Sequence, residues 1–482
     1  MGSDSQFIKY PDLTLAQHIF SLGIAPRTPQ TASVNYIQNA IKEHKMAPLY
    51  RHLAHPIEGV LNSVGESSAQ PANPPLKAPS RRTSLVSSNL LPSKKLLTSG
   101  ILPWDEALYE QLKADNEKEL EEYQKEEEEA EEKAGETEVQ AARSKRAEFW
   151  ARVGDKDKAI AAYETVFDKT GPLGTKIDIV LAIIRIGLFF NDKAFVKKQV
   201  ERADILVESG GDWDRRNRLK AYKGLHLLTV RSYNLAAPLL LDSLSTFTSY
   251  ELCSYSSLVV YAVLAGSLSL KRVDFKAKVV DAPEIKAILG NNEEKAPGAD
   301  EEMKDVSSAT AERASGLVNL NTLGTGSAVE SQTESPMDFS SLAGLVNSLY
   351  SGNYRNFFLA LAAVEENFLT QDRYLYEHRA WFVREMRLRG YQQLLQSYRV
   401  VGLATMAQAF GVSVDFLDRD LAKFIAGGRV SCTIDRVQGV IETTRPDDKN
   451  KQYADVVKQG DALITKLQKY GQAVRLRGSE RA

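Results

Sequence analysis

Residues 406–444 read MAQAFGVSVDFLDRDLAKFIAGGRVSCTIDRVQGVIETT, and the order of elements they encode decides the fold. Met406, Ala409 and Phe410 close a short helix at Gly411. Val414 to Ile425 predicts a second helix, with Phe416, Leu417, Leu421, Phe424 and Ile425 as its apolar stripe. Gly427-Gly428 breaks that periodicity. Val430, Cys432 and Ile434 then alternate with polar residues, which is the period of a half-buried strand. Val437, Gly439 and Ile441 alternate as its partner. Helix, turn, helix and β-hairpin in that order make a winged helix, which residues 401–446 are expected to form.

Beyond Pro446, residues 447–482 predict one more helix. Tyr453, Val456, Val457, Gly460, Leu463, Ile464, Leu467 and Tyr470 recur at three- and four-residue steps, with Lys458, Lys466 and Lys469 off that face. Nothing later in the sequence is expected to cover the stripe, so it must fold back or pair with a helix of another chain. Before the winged helix, residues 337–400 are helical by pattern. Leu342, Leu345, Val346 and Leu349 share one face, and Phe357, Phe358, Leu361 and Val364 another. A helix around Trp381 to Tyr398 carries Phe382, Met386, Tyr391, Leu394, Leu395 and Tyr398, with Arg384, Arg387 and Arg389 expected outward.

Residues 101–289 form a repeat array. GDKDKAIAAY (154–163), NDKAFVKKQV (191–200) and RSYNLAAPLLLDSL (231–244) occupy equivalent places. Ala159, Val196 and Ala236 are spaced by 37 and 40 residues. A small residue lets two antiparallel helices approach, and a larger one a turn later fills the next groove; the pattern resembles degenerate tetratricopeptide repeats. Within this region, Asp115 to Glu138 holds thirteen acidic and three basic residues. Glu-rich segments favour helix, and the tract predicts a long solvated helix rather than an acidic binding tail. Residues 1–60 are expected to supply N-terminal helices. Residues 61–100, with nine Ser, five Pro and no aromatic residue, and 290–336, with nine acidic and three basic residues and no aromatic, are expected to be disordered insertions.

Composition excludes several function classes. The 482 residues include 61 Lys plus Arg and 63 Asp plus Glu, a net charge of −2, so no global basic field exists to recruit nucleic acid or an anionic membrane. Two cysteines, Cys253 and Cys432, make neither a disulfide framework nor a CxxC zinc site. Met1 to Tyr10 lacks the apolar core of a secretory signal. The apolar run Leu258 to Leu270 is shorter than the about 20 residues of a membrane span and reads as a buried helix. A soluble intracellular protein is expected.

No catalytic motif stands out. There is no phosphate-binding GxxxxGK[ST] loop and no GxSxG elbow. Of the six histidines only His52 and His55 are close, and without an HExxH pattern they read as surface or core residues. Cys253 reads as packed in an apolar helix and Cys432 as core. The densest polar cluster, Asp212, Asp214, Arg215 and Arg216 around Trp213, reads as a helix-entry turn capped by Asp214, with a partner groove as the alternative. The Val414–Ile425 helix carries three Asp against Arg419 and Lys423, the wrong sign for a nucleic-acid groove. From Arg373 onward nineteen basic residues face twelve acidic ones, a mild excess. A winged helix has another use, side-by-side strand docking between proteins.

Helical repeats, a winged helix and a trailing helix together resemble the PCI family, whose members build the proteasome lid, the COP9 signalosome and initiation factor 3. SGGDWDRRNRLKAYKGL (209–225), DSLSTFTSYEL (242–252), REMRLRGYQQLLQSYR (384–399), MAQAFGVSVDFLDRDLAKFIAGGRV (406–430) and IETTRPDDKN (441–450) resemble the proteasome-lid branch, as do PDLTLAQHIF (11–20) and MAPLY (46–50). The resemblance implies a mostly α fold: a right-handed, tetratricopeptide-like α-solenoid followed by a winged-helix PCI module and a C-terminal helix. It implies a non-catalytic, cofactor-free scaffold of the 19S regulatory particle, in cytoplasm and nucleus. Its partners would be other lid PCI subunits and neighbouring 19S subunits, with no nucleic acid and no membrane. The expected interface residues are Val430, Cys432 and Ile434 on the wing, and Tyr453, Val456, Val457, Leu463, Ile464, Leu467 and Tyr470 on the last helix. The lid's deubiquitinating member carries a metal-binding histidine motif absent here, so cleavage would belong to a partner. A signalosome subunit of the same architecture and a nucleic-acid-binding PCI protein are the rival expectations.

Overall fold

The computed structural model describes residues 10–23, 30–56, 59, 102–133, 135–290, 338–443 and 448–479. The segments read as disordered, 61–100 and 290–336 apart from Gly290, lie outside the described residues, as do residues 1–9 and Pro446. The chain divides into two compact units. One comprises Met1–Tyr350 and Leu359–Arg384; the other comprises Ser351–Phe358 and Glu385–Ala482.

The first unit begins with α1 (Leu13–Leu22), α2 (Gln30–Glu43) and α3 (Ala47–Ala54). His52 is buried within α3, and His55 lies edge-on to Trp104 at 5.1 Å. Both are packing residues. Next come α4 (Glu106–Lys133) and α5 (Glu136–Val153), so the acidic tract is two helices and not one. α5 folds back along α4 and brings arginines to its glutamates. Arg152 meets Glu119 at 2.5 Å, and Arg143 and Arg146 each meet Glu127 at 2.9 Å. Burial works to raise the Glu119 carboxyl, but bonds from Arg152 and Tyr123 outweigh it and hold Glu119 below the usual range; Arg143 and Arg146 do the same for Glu127. The expected solvated helix is therefore half of an ion-paired hairpin.

Helix pairs continue with α6 (Lys156–Lys169), α7 (Leu173–Phe189), α8 (Lys193–Glu208), α9 (Trp213–Thr229) and α10 (Tyr233–Ser243). The repeat is visible in the backbone. The turns before α6, α8 and α10 pass through left-handed residues Gly154 (φ 86°), Asn191 (φ 54°) and Arg231 (φ 67°), at the same 37- and 40-residue spacings. Asp155 and Asp192 follow as N-caps, accepting from the amides of Lys158 and Phe195. One turn on, Ala159, Val196 and Ala236 are fully buried. The facing helices carry glycines at Val196 and, one turn beyond Ala236, at Leu240. A Cβ at Gly187 would sit 2.7 Å from Val196, and one at Gly224 would sit 2.6 Å from Leu240. At these two contacts the close approach uses a glycine on the facing helix against a larger side chain.

The polar cluster around Trp213 is built into this array. Asp212, not Asp214, occupies the N-cap position of α9, and Asp214 instead accepts from the Thr248 hydroxyl at 3.0 Å. Arg215 binds Asp178 of α7 at 2.6 Å, and Arg218 binds Glu251 at 2.7 Å. These pairs tie α7, α9 and the following loop together. α11 (Tyr255–Ser269) holds the long apolar run and is buried along most of its length. Cys253 lies in the loop before α11 rather than in a helix. The short α12 (Arg272–Phe275) and α13 (Pro283–Leu289) follow. After the undescribed stretch come α14 (Ser340–Ser351), α15 (Tyr354–Val364) and α16 (Arg379–Ser397). A turn between α15 and α16 secures distant parts of the unit. Asp372 accepts from the Tyr261 hydroxyl at 2.5 Å, Arg373 donates to the Phe189 carbonyl at 2.6 Å, and Gln17 of α1 donates to the Gln371 carbonyl at 2.6 Å. Among the described residues no helix is long and apolar enough to cross a membrane.

Candidate assembly surface

The second unit is built around α17 (Leu403–Phe410) and α18 (Val414–Ala426). Gly411, at φ 67°, makes the turn between them. Ser413 caps α18 by accepting from the Phe416 amide at 3.3 Å. The hairpin is β2 (Cys432–Asp435) and β3 (Val440–Thr443), and a short β1 (Val400–Gly402) pairs with the far side of β3. The sheet order is β1-β3-β2, antiparallel throughout, with Val401 and Ile434 both opposite Ile441. The predicted strands start and stop slightly differently, because Val430 and Ser431 precede β2. Val437 is in the hairpin turn and 96% exposed, where the Asp435 carboxylate accepts from the Val437 amide at 2.8 Å.

The winged-helix core joins Tyr391, Leu395, Met406, Phe410, Leu417, Leu421, Phe424 and Ile441. Tyr391 donates to buried Asp420 at 3.2 Å, and Arg387 approaches the same carboxylate at 3.5 Å. Only Arg384 of the three arginines expected outward is exposed. Arg387 is half-buried against Asp420, and burial pushes the Arg389 guanidinium down to about 10. The acidic character of α18 is partly used inside the unit: Asp420 is buried, and Asp418 pairs with Arg436 at 2.8 Å. Of its charged residues α18 leaves Asp415, Arg419 and Lys423 exposed, alongside Val414 and Phe416. That is no basic stripe.

The ten expected interface residues separate into two groups. Val430 and Cys432 are buried in the core and Ile434 is half-buried against it, so these side chains are not a contact surface. Burial raises the Cys432 thiol, as expected of a packed cysteine. What this strand can offer a neighbour is its backbone, since β2 is an edge strand. The other seven lie together on α19 (Asp448–Ser479), a helix of 32 residues. Tyr453, Val456, Val457, Leu463, Ile464, Leu467 and Tyr470 are each between 55% and 71% exposed. Among the residues of α19 whose side chains are described, none is buried. Val474, 70% exposed, extends the stripe one turn past Tyr470, on the same periodicity. Val400 on β1 and Tyr398, which the sequence places on the helix but which lies just past the end of α16, are also more than half exposed; no sequence signal marks Val400, because a three-residue strand is too short to show a period. Among the described residues no group of three or more His, Cys, Asp or Glu could hold a metal ion. The surface is suited to contact, with a long apolar face and a short open strand edge.

Three family models match the chain in the same order as these elements. The model described as 26S proteasome subunit RPN7 matches residues 105–278, PCI domain matches 356–445, and 26S proteasome regulatory subunit RPN7/PSMD6 C-terminal helix matches 452–474. The last span coincides with the exposed stripe. The chain is 37% identical to 26S proteasome regulatory subunit rpn7 of Schizosaccharomyces pombe, covering 97% of each chain. It is 39% identical to the corresponding subunit RPN7 of Saccharomyces cerevisiae, over 93% of this chain and 89% of that one. Similarity to COP9 signalosome complex subunit 1 of Arabidopsis thaliana is weaker, at 22% over 59% of this chain and 53% of that one. With near full-length similarity at this level, the chain belongs to the family of the 26S proteasome regulatory subunit RPN7, also called non-ATPase regulatory subunit 6.

Proposed function

We propose that this chain is a structural subunit of the lid of the 26S proteasome's 19S regulatory particle, serving ubiquitin-dependent protein degradation. It acts by assembly and performs no catalysis of its own. The observation that carries the reading is α19, whose apolar face is exposed over six turns in the very span matched by the family's C-terminal-helix model. A face of that size has no role in a finished monomer and is suited to burial against other helices. The edge of β2 adds a second mode of contact, strand to strand, with other PCI subunits. The mixed charge of α18 supports a protein partner over nucleic acid, and the work would take place in cytoplasm and nucleus.

Native mass spectrometry of the tagged chain, purified from its own cells at moderate salt, tests this. A megadalton particle containing ATPases and proteolytic subunits is the expected result. A smaller particle without them would assign the chain to a signalosome-like complex, and a monomer carrying nucleic acid would overturn the assembly reading. Fractionation of the same cells checks the two compartments.

A further inference from the structure

Several helix glycines among the described residues sit where a neighbour presses on them, and two in α19 do not. Glycine inside a helix costs about 1 kcal/mol relative to alanine, so its presence asks for a reason. Gly187, Gly224 and Gly266 have one: an added Cβ would sit 2.7 Å from Val196, 2.6 Å from Leu240 and 2.9 Å from Val279. Gly390 is similar, 3.2 Å from Phe357 and 3.3 Å from Phe410. Each marks a place where a neighbouring side chain presses onto the helix. Gly460 and Gly471, in the interior of α19, have nothing within 4 Å.

Their positions are not random. Tyr453, Val457, Gly460, Ile464, Leu467, Gly471 and Val474 follow one another at alternating four- and three-residue steps, the seam of a seven-residue repeat. Val456, Leu463 and Tyr470 run beside it at strict seven-residue intervals. Both glycines lie on the seam. An apolar face two rows wide belongs to a helix with neighbours on two sides, not to a two-stranded coil. A parallel second copy in register would set Gly460 against Gly460 and Gly471 against Gly471, leaving two voids. It would also lay Val456, Leu463 and Tyr470 beside Asp461, Gln468 and Arg475.

We propose that Gly460 and Gly471 are two notches that fix the register of α19 in the assembled particle. Each receives a large apolar side chain from a helix of a different subunit, at points roughly 16 Å apart along the axis. The inference rests on the lid-assembly reading above and adds to it the residues that set specificity. The occupant is a partner helix with two bulky residues at that separation.

The test is competition in cells co-expressing the full-length wild-type chain and a tagged variant, with each form in the purified particle counted by mass spectrometry. Gly460→Leu/Gly471→Leu keeps the stripe apolar but fills both notches, and overpacking each should cost about tenfold or more in incorporation. Ala462→Leu, off the seam on the same helix, is the control and incorporates normally. Circular dichroism of the purified double variant should show undiminished helix, because nothing among the described residues lies within 4 Å of a Cβ at either position. Normal incorporation of Gly460→Leu/Gly471→Leu overturns the notch assignment. If Leu463→Asp/Leu467→Asp is excluded in the same assay, the assembly reading survives that result; if it too incorporates normally, the assembly reading fails as well. A purified wild-type chain that forms a dimer dissolved by Gly460→Leu/Gly471→Leu would name a second copy as the occupant and also overturn the proposal.

Discussion

α4 and α19 are the two longest helices among the described residues, at 28 and 32 residues, and they resolve the same difficulty in opposite ways. Neither is long and thin for its own sake; a helix of that length needs something along its side. α4 is so acidic that its complement had to be cationic, and α5 supplies it from the next stretch of sequence through Arg143, Arg146 and Arg152. The complement of α19 is apolar, and no residue among those described covers it. A charged helix can find partners locally because each ion pair forms singly and tolerates partial access of solvent. An apolar face is stabilised only by exclusion of water, which takes a full second surface. The difference teaches where the chain closes on itself and where it waits for another.

The largest test of the contrast is Leu463→Asp/Leu467→Asp. Two charges on the apolar face, one on the seam and one in the row beside it, should lower incorporation by roughly a hundredfold or more, while the melting temperature of the free chain stays unchanged. Loss of stability in the isolated chain would show that α19 is already packed. The two kinds of glycine give the next effect. Gly224→Ala should destabilise the chain by about 1–3 kcal/mol, through overpacking against Leu240, whereas Gly460→Ala should stabilise α19 by up to about 1 kcal/mol; chemical denaturation and helix content read the two. Arg143→Ala should loosen the α4–α5 hairpin by roughly 1 kcal/mol, seen as faster amide exchange confined to those helices. The smallest effect is with pH. Glu119 and Glu127 titrate below the ordinary carboxylate range, so their contribution is fully present above the unfolded carboxylate pKa and is lost as pH falls through the lowered folded values. Exchange protection, corrected for intrinsic rate, should drop in α4 in that acidic window and not in α19.

Much of this was legible in the sequence, for identifiable reasons. The winged helix and α19 declared themselves because their apolar positions keep strict periods over many residues, and the repeats because their spacing recurs. The left-handed turn at Arg231 was not legible, since arginine carries no preference for positive φ; only its alignment with Gly154 and Asn191 explains it. β1 was invisible for its brevity. Val430 and Cys432 were correctly seen to alternate, but alternation tells which residues share a face and not whether that face is the core or a contact. The composition of the acidic tract and the helical pattern after it predict helix, but neither reveals that the arginines of α5 turn back to meet it.

The stripe on α19 also bears on the fate of any copy that never reaches its particle. Seven of its residues from Tyr453 to Tyr470, more than half exposed, form the kind of continuous apolar patch that draws chaperones or drives aggregation. Once the helix is covered, that signal disappears. The chain thus carries its own mark of being an orphan, erased by assembly itself, and its supply in excess of its partners should be self-limiting.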